Sequence, residues 1–153
     1  MCALLTSLAA APVRAQGKIG TGLENLEAVF DRGEIAKIAK VVVFRIPDEV
    51  MFSVAATPSY MRLNSDYTVV FKLGKIRLFE ALLSGVTAGE EKEESDMRWG
   101  VLIIGEHDKE LGSLFVDATG RFGYVNDRRV SFQPSGPTEG LVPRLRKILA
   151  GVR

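Results

Sequence analysis

The chain has 153 residues, 46% hydrophobic and 25% charged, the make-up of one folded domain and not of a disordered or fibrous chain. A formal net charge of +1 provides neither a basic field that would attract nucleic acid nor an acidic field for basic partners. One cysteine and one histidine exclude an intrachain disulfide and every two-histidine metal motif.

The chain starts MCALLTSLAAAPVRAQG. Residues 3–13 are apolar or small, and Val13 and Ala15 stand at the two positions a signal peptidase inspects. Residues 1–15 therefore read as the rear half of a secretory signal peptide, cut after Ala15. No Lys or Arg precedes the apolar run, which this reading meets by placing the true start upstream of Met1. The run falls short of the roughly 20 residues needed to cross a bilayer. Cleavage removes Cys2 and Arg14 and leaves a single domain over 16–153 with 19 basic and 19 acidic residues. The expected location is the periplasm or the medium, with no transmembrane segment in the mature chain.

Leu23, Leu26, Val29 and Phe30 recur at helical spacing, with Thr21 as a cap and Gly33 as a stop. AKVVVFRI (39–46) is β-branched and short, so it predicts a strand ended by Pro47; MFSVAA (51–56) predicts a second, weaker one. Thr57 and Pro58 cap a short helix over TPSYMRL. YTVVFKL (67–73) predicts a strand. KIRLFEALLSGV places Ile76, Phe79, Leu82, Leu83 and Val86 on one helical face. Residues 87–96, TAGEEKEESD, have no apolar period and predict a mobile loop or a frayed helix extension. RWGVLIIGE (98–106) is apolar at both alternating sets of positions, the pattern of a central strand covered on both sides. A helix from about Leu141 closes the chain, with Leu145, Ile148 and Leu149 inward. Late strands joined by tight turns pair antiparallel. The expected fold is α+β, a single mostly antiparallel sheet with helices on both faces.

Few residues stand at catalytic or metal-binding spacings. His107 sits in the turn GEHDKE, where adjacent side chains diverge, so no metal site is expected. No phosphate-binding loop follows a strand, no serine stands in a G-x-S-x-G elbow, and Glu90, Glu91, Glu93 and Glu94 share one loop. No catalytic residue and no cofactor is assigned.

LFVDATGRFGYVNDRRV (114–130) is the one stretch rich enough to be a surface of interest. A three-residue turn, ATG, would set Asp117 opposite Arg121, Val116 opposite Phe122, Phe115 opposite Gly123 and Leu114 opposite Tyr124. The two-residue turn Asn126–Asp127 would pair Val125 with Arg128, Tyr124 with Arg129 and Gly123 with Val130. In this register Gly123 leaves room for the Phe115 ring, Asp117 and Arg121 form an ion pair, Arg129 lies over Tyr124, and Arg128 and Arg129 guard an edge strand. Arg121, Tyr124, Arg128 and Arg129 are the candidate contact residues for a protein or small-molecule partner; nucleic acid is not expected. The functional expectation is a small exported bacterial protein, a non-catalytic binding domain. The alternative is an enzyme of unfamiliar type, such as a hydrolase.

Overall fold

The computed structural model describes residues 22–31, 33–64, 67–135, 137 and 139–151. Residues 1–15, with the expected signal segment, and the Thr21 cap lie outside them. The described chain is α+β, built on one seven-stranded sheet in which every neighbouring pair is antiparallel. Its strands are β1 (Ile38–Arg45), β2 (Tyr67–Lys72), β3 (Val86–Glu90), β4 (Met97–Gly105), β5 (Glu110–Asp117), β6 (Phe122–Val125) and β7 (Arg128–Pro134), in the order β2-β1-β4-β5-β6-β7-β3. The α-helices are α1 (Leu23–Ala28), α2 (Pro58–Asn64) and α3 (Leu141–Ala150). Among the described residues no helix is long and apolar enough to cross a membrane.

Side chains alternate along a strand, and β1 divides them between two apolar clusters. Val41 and Val43 join a large cluster with Trp99, Val101, Ile103, Leu114, Val116 and Val130, closed by Leu23 and Leu26 of α1 and by Leu141, Val142 and Leu145 of α3. Val42 and Phe44 face a smaller cluster with Met97, Phe115 and Met61 of α2. β4 lies between β1 and β5 and is buried along most of its length, as its doubly apolar pattern predicts.

Three expected elements differ. First, the helix expected over KIRLFEALLSGV is a 3-10 helix over Leu73–Phe79 followed by turns. Ile76, Phe79 and Leu82 are spaced by three, which suits the three-residue repeat of a 3-10 helix as well as one α-helical face. Glu80, Leu82 and Val86 donate backbone N–H bonds to carbonyls three residues back, at Arg77, Phe79 and Leu83. The Arg144 guanidinium of α3 takes the carbonyls of Ala81, Leu82 and Ser84 at 3.0, 2.9 and 2.6 Å. Those acceptors are thus satisfied from outside the segment.

Second, residues 51–56 form no strand. Both edges of β1 are occupied, by β2 and β4, so this segment does not pair with the strand it follows and is fixed by side chains instead. Third, Val86, expected on the preceding helix, and residues 87–90 of the expected acidic loop form β3, which pairs with β7 from Glu90↔Val130 to Val86↔Pro134. β7 is therefore an internal strand, and Arg128 and Arg129 do not guard an edge.

The crossover from β3 to β4 is only residues 91–96, yet these strands lie four positions apart. Four strand spacings are about 19 Å, and seven Cα–Cα steps reach about 23–25 Å. Glu90, Val130, Gly123, Val116 and Trp99 form one row across the sheet, so both ends of the crossover leave from the same level. The segment has little slack, and its charged composition is compatible with a taut, solvated strap.

Candidate functional site

The turn Asn126–Asp127 has φ of 48 and 64°, the left-handed pair of a type I′ hairpin. It fixes the β6–β7 pairing as expected: Val125↔Arg128, Tyr124↔Arg129, Gly123↔Val130. The preceding turn differs by one residue. β5 and β6 pair as Leu114↔Val125, Phe115↔Tyr124 and Val116↔Gly123. The Asp117 carboxylate accepts from the Arg121 backbone N–H at 3.0 Å and from the Thr119 hydroxyl at 2.8 Å, while Gly120 turns the chain at φ 72°. Asp117 thus holds the Arg121 backbone and forms no ion pair with its guanidinium.

A one-residue slip moves a strand's side chains to the opposite face. Leu114 and Val116 therefore belong to the large cluster, while Phe115 shares the second face with Tyr124 and Arg129. The Phe115 ring lies over Gly100, where a Cβ would stand 2.7 Å from it, and not over Gly123. The Arg62 guanidinium covers that ring at 4.9 Å and bonds Glu110 at 2.9 Å and Asp127 at 3.3 Å.

The four expected contact residues have three different placements. Arg121 is exposed in its turn, and Arg128 is exposed at the start of β7. Tyr124 and Arg129 are brought together: Arg129 Nε donates to the Tyr124 hydroxyl at 3.1 Å, with the guanidinium 5.9 Å over the ring. The same guanidinium donates to the Lys92 carbonyl at 3.0 Å and pairs with Glu94. The Tyr124 hydroxyl, followed by Glu94, holds Arg129 above the ordinary arginine range. These two residues pin the crossover. Arg129→Gln is expected to leave global stability close to wild type, because the Arg129–Glu94 pair is solvent-screened. It should still speed amide exchange over 91–96, measured by hydrogen exchange with mass spectrometry.

The other end of the strap is held by Asp96, a contact that no local sequence pattern announces. The Asp96 carboxylate accepts the Ala56 N–H at 2.7 Å and pairs with Arg98. Arg98 donates to the carbonyls of Pro47 and Val50 at 3.1 and 2.5 Å and lies 5.5 Å from the Phe52 ring centre. The segment 47–56 is held from beneath, and beyond the exposed Asp48 and Glu49 it turns two large apolar side chains to solvent: Met51 is 91% exposed and Val54 76%. Phe52 and Tyr60 meet edge to face at 5.1 Å, and residues 52–57 with Tyr60 line a cleft of about 390 Å³. The available signal was the apolar spacing of Met51, Phe52 and Val54, which was absorbed into a strand.

Two further clefts, each about 330 Å³, are lined by acidic residues among others. One is lined by Asp48, Ser95, Asp96, Arg98, Asp117 and Ala118, where the Asp96 and Asp117 carboxylates already accept hydrogen bonds. The other is lined by Glu27, Phe30, Asp31, Glu80, Leu83 and Ser84. There, burial and then Glu24 raise the Glu27 carboxyl. Among the described residues, no group of three or more His, Cys, Asp or Glu is placed to hold a metal ion.

No family model, curated protein or solved structure matches the chain. Any functional reading therefore rests on this chain's own surfaces. Of these, the Phe52–Tyr60 cleft combines exposed apolar side chains with a rigid support. Such a combination can seat an apolar group without first paying to order the loop.

Proposed function

We propose that the chain is a non-catalytic binding domain of the bacterial envelope, exported and freed of residues 1–15. It takes an apolar segment of a protein partner into the cleft between residues 52–57 and Tyr60. The observation that carries this reading is the exposure of Met51 and Val54 on a segment clamped by Arg98 and Asp96. Solvent-exposed apolar residues normally stand singly, and a group of them around a cleft marks a contact surface. Arg121 and Arg128, with exposed side chains, form a second contact region in this proposal. Tyr124 and Arg129 act through the strap. The architecture that accompanies it is a sheet covered by helices on both faces, which Met61 of α2 in the small cluster and Leu141, Val142 and Leu145 of α3 in the large one support.

The test compares a Met51→Asp/Val54→Asp chain with an Arg121→Ala/Arg128→Ala chain as baits in envelope extract. Both pairs are on the surface, so each substitution should change stability by no more than about 0.5 kcal/mol. The aspartate pair should lose the specific partner and the alanine pair should weaken it. Full retention by the aspartate pair would refute the cleft as the contact. Export is checked separately by mass spectrometry, where the mature protein should begin at Gln16.

A further inference from the structure

Among the described residues, the exposed large apolar side chains away from Met51 and the cleft are Leu63, Val70, Leu78 and Phe122. Three of the four fall on consecutive elements: Leu63 (84% exposed) near the end of α2, Val70 (49%) on β2, and Leu78 (44%) on the following 3-10 helix. β2 is also an end strand of the sheet. Its six-residue pairing with β1 runs without a bulge from Lys40↔Lys72 to Arg45↔Tyr67. It has neither proline nor glycine, and its one charge is at its last residue, Lys72.

An end strand carries a row of unpaired N–H and C=O groups, and proteins usually guard it with charges, proline, bulges or short length. The two ends of this sheet differ in that respect. β3, at the other end, is five residues long, contains Gly89, closes on Glu90 and bears no exposed large apolar side chain. β2 has only Lys72 at its end, and exposed apolar side chains stand on the elements before and after it in the chain.

We propose that β2 is a dimerisation edge, on which a second copy of the chain adds its own β2 antiparallel about a twofold axis. Across such an axis opposed side chains share a face, so a residue on the axis meets its own copy. Val69 packs against the large cluster, whereas the neighbouring Val70 is half exposed. An axis at Val70 sets Val70 against itself, Val69 against the partner's Phe71, and Thr68 against the partner's Lys72. Val69 and Phe71 both belong to the large-cluster layer, so that layer continues across the axis. The exposed Val70 is covered by the same step. A net charge of +1 opposes association only weakly. The strand is thus complementary to itself in pattern, and the inference is independent of the cleft.

The full chain is tested by light scattering coupled to size exclusion and by cysteine cross-linking in a Cys2→Ala background. Wild type should elute at twice the chain mass. Val70→Lys should weaken the dimer by more than about tenfold, and the milder Val70→Thr should do so in the same direction with an unchanged circular dichroism spectrum. Val70→Cys should form a covalent dimer on mild oxidation, with several times the yield of Thr87→Cys on the opposite edge. A monomeric wild type, as when the chain's own N-terminal segment covers the edge, would overturn the proposal. So would a Val70→Lys chain that stays dimeric, or equal cross-linking from Thr87→Cys.

Discussion

Gly123→Ala is expected to destabilise the domain by about 3 kcal/mol, the upper end of what inserting a methyl into a packed interior costs. For a chain of this size that is a fall in Tm on the order of 10 °C. A Cβ at position 123 would stand 1.9 Å from the Phe115 carbonyl oxygen and 3.0 Å from Val116 Cα. Both are backbone atoms of β5, so no rotamer change relieves the overlap, and the two strands must separate. The sign of the effect is diagnostic. Glycine within a strand is ordinarily less favourable than alanine by about 0.5–1 kcal/mol, so without the close approach the substitution would stabilise. Gly74→Ala is the control, because its Cβ would meet nothing within 4 Å. Thermal unfolding of the two variants beside wild type makes the comparison.

Arg98→Met should cost about 2 kcal/mol, mainly because two backbone carbonyls lose their donor; the Asp96 partner is 37% exposed, so the ion pair itself adds little. The Arg98 side chain is only 11% exposed. Methionine fills similar volume but leaves the Pro47 and Val50 carbonyls without their donor and Asp96 without its cation. The loss falls on one segment, so exchange at the amides of 50–56 should accelerate more than exchange within β4 or β5. Partner binding should fall together with stability, although Met51 and Val54 are unchanged. Denaturant unfolding and residue-resolved hydrogen exchange report the two effects separately. A variant within 1 kcal/mol of wild type with unchanged exchange over 50–56 would contradict the clamp.

The sequence carried the local information well and the long-range information poorly. β1, β2, β4 and α2 lie where β-branched runs, doubly apolar alternation and the Thr57–Pro58 cap place them. Tyr60 N–H bonds the Thr57 hydroxyl at 3.2 Å, as a cap requires. The Asn126–Asp127 turn was legible because its type fixes a register. The Asp117–Gly120 turn was not. Three- and four-residue connections both suit a terminal glycine, and Leu114, Phe115 and Val116 are all fully buried, so the apolar pattern does not choose between registers. β3 was hidden because VTAGE is weakly apolar and its partner residues lie 40 to 48 positions away in sequence. The pinned state of the acidic crossover depends on Arg129 at one end and Ala56 at the other, two contacts that no local pattern announces. The same holds for the candidate site. Tyr124 and Arg129 meet as expected, but their partner is the strap, and the apolar cleft became visible only once residues 51–56 stood off the sheet.

The contact surface is tested most directly by site-specific photo-cross-linking in living cells, with a photoreactive residue at Val54 in one chain and at Arg128 in another. A discrete covalent adduct from position 54, abolished when Arg98→Met is combined with it, is the expected result. Adducts from position 128 alone, with none from 54, would place the contact on the hairpin and contradict the cleft.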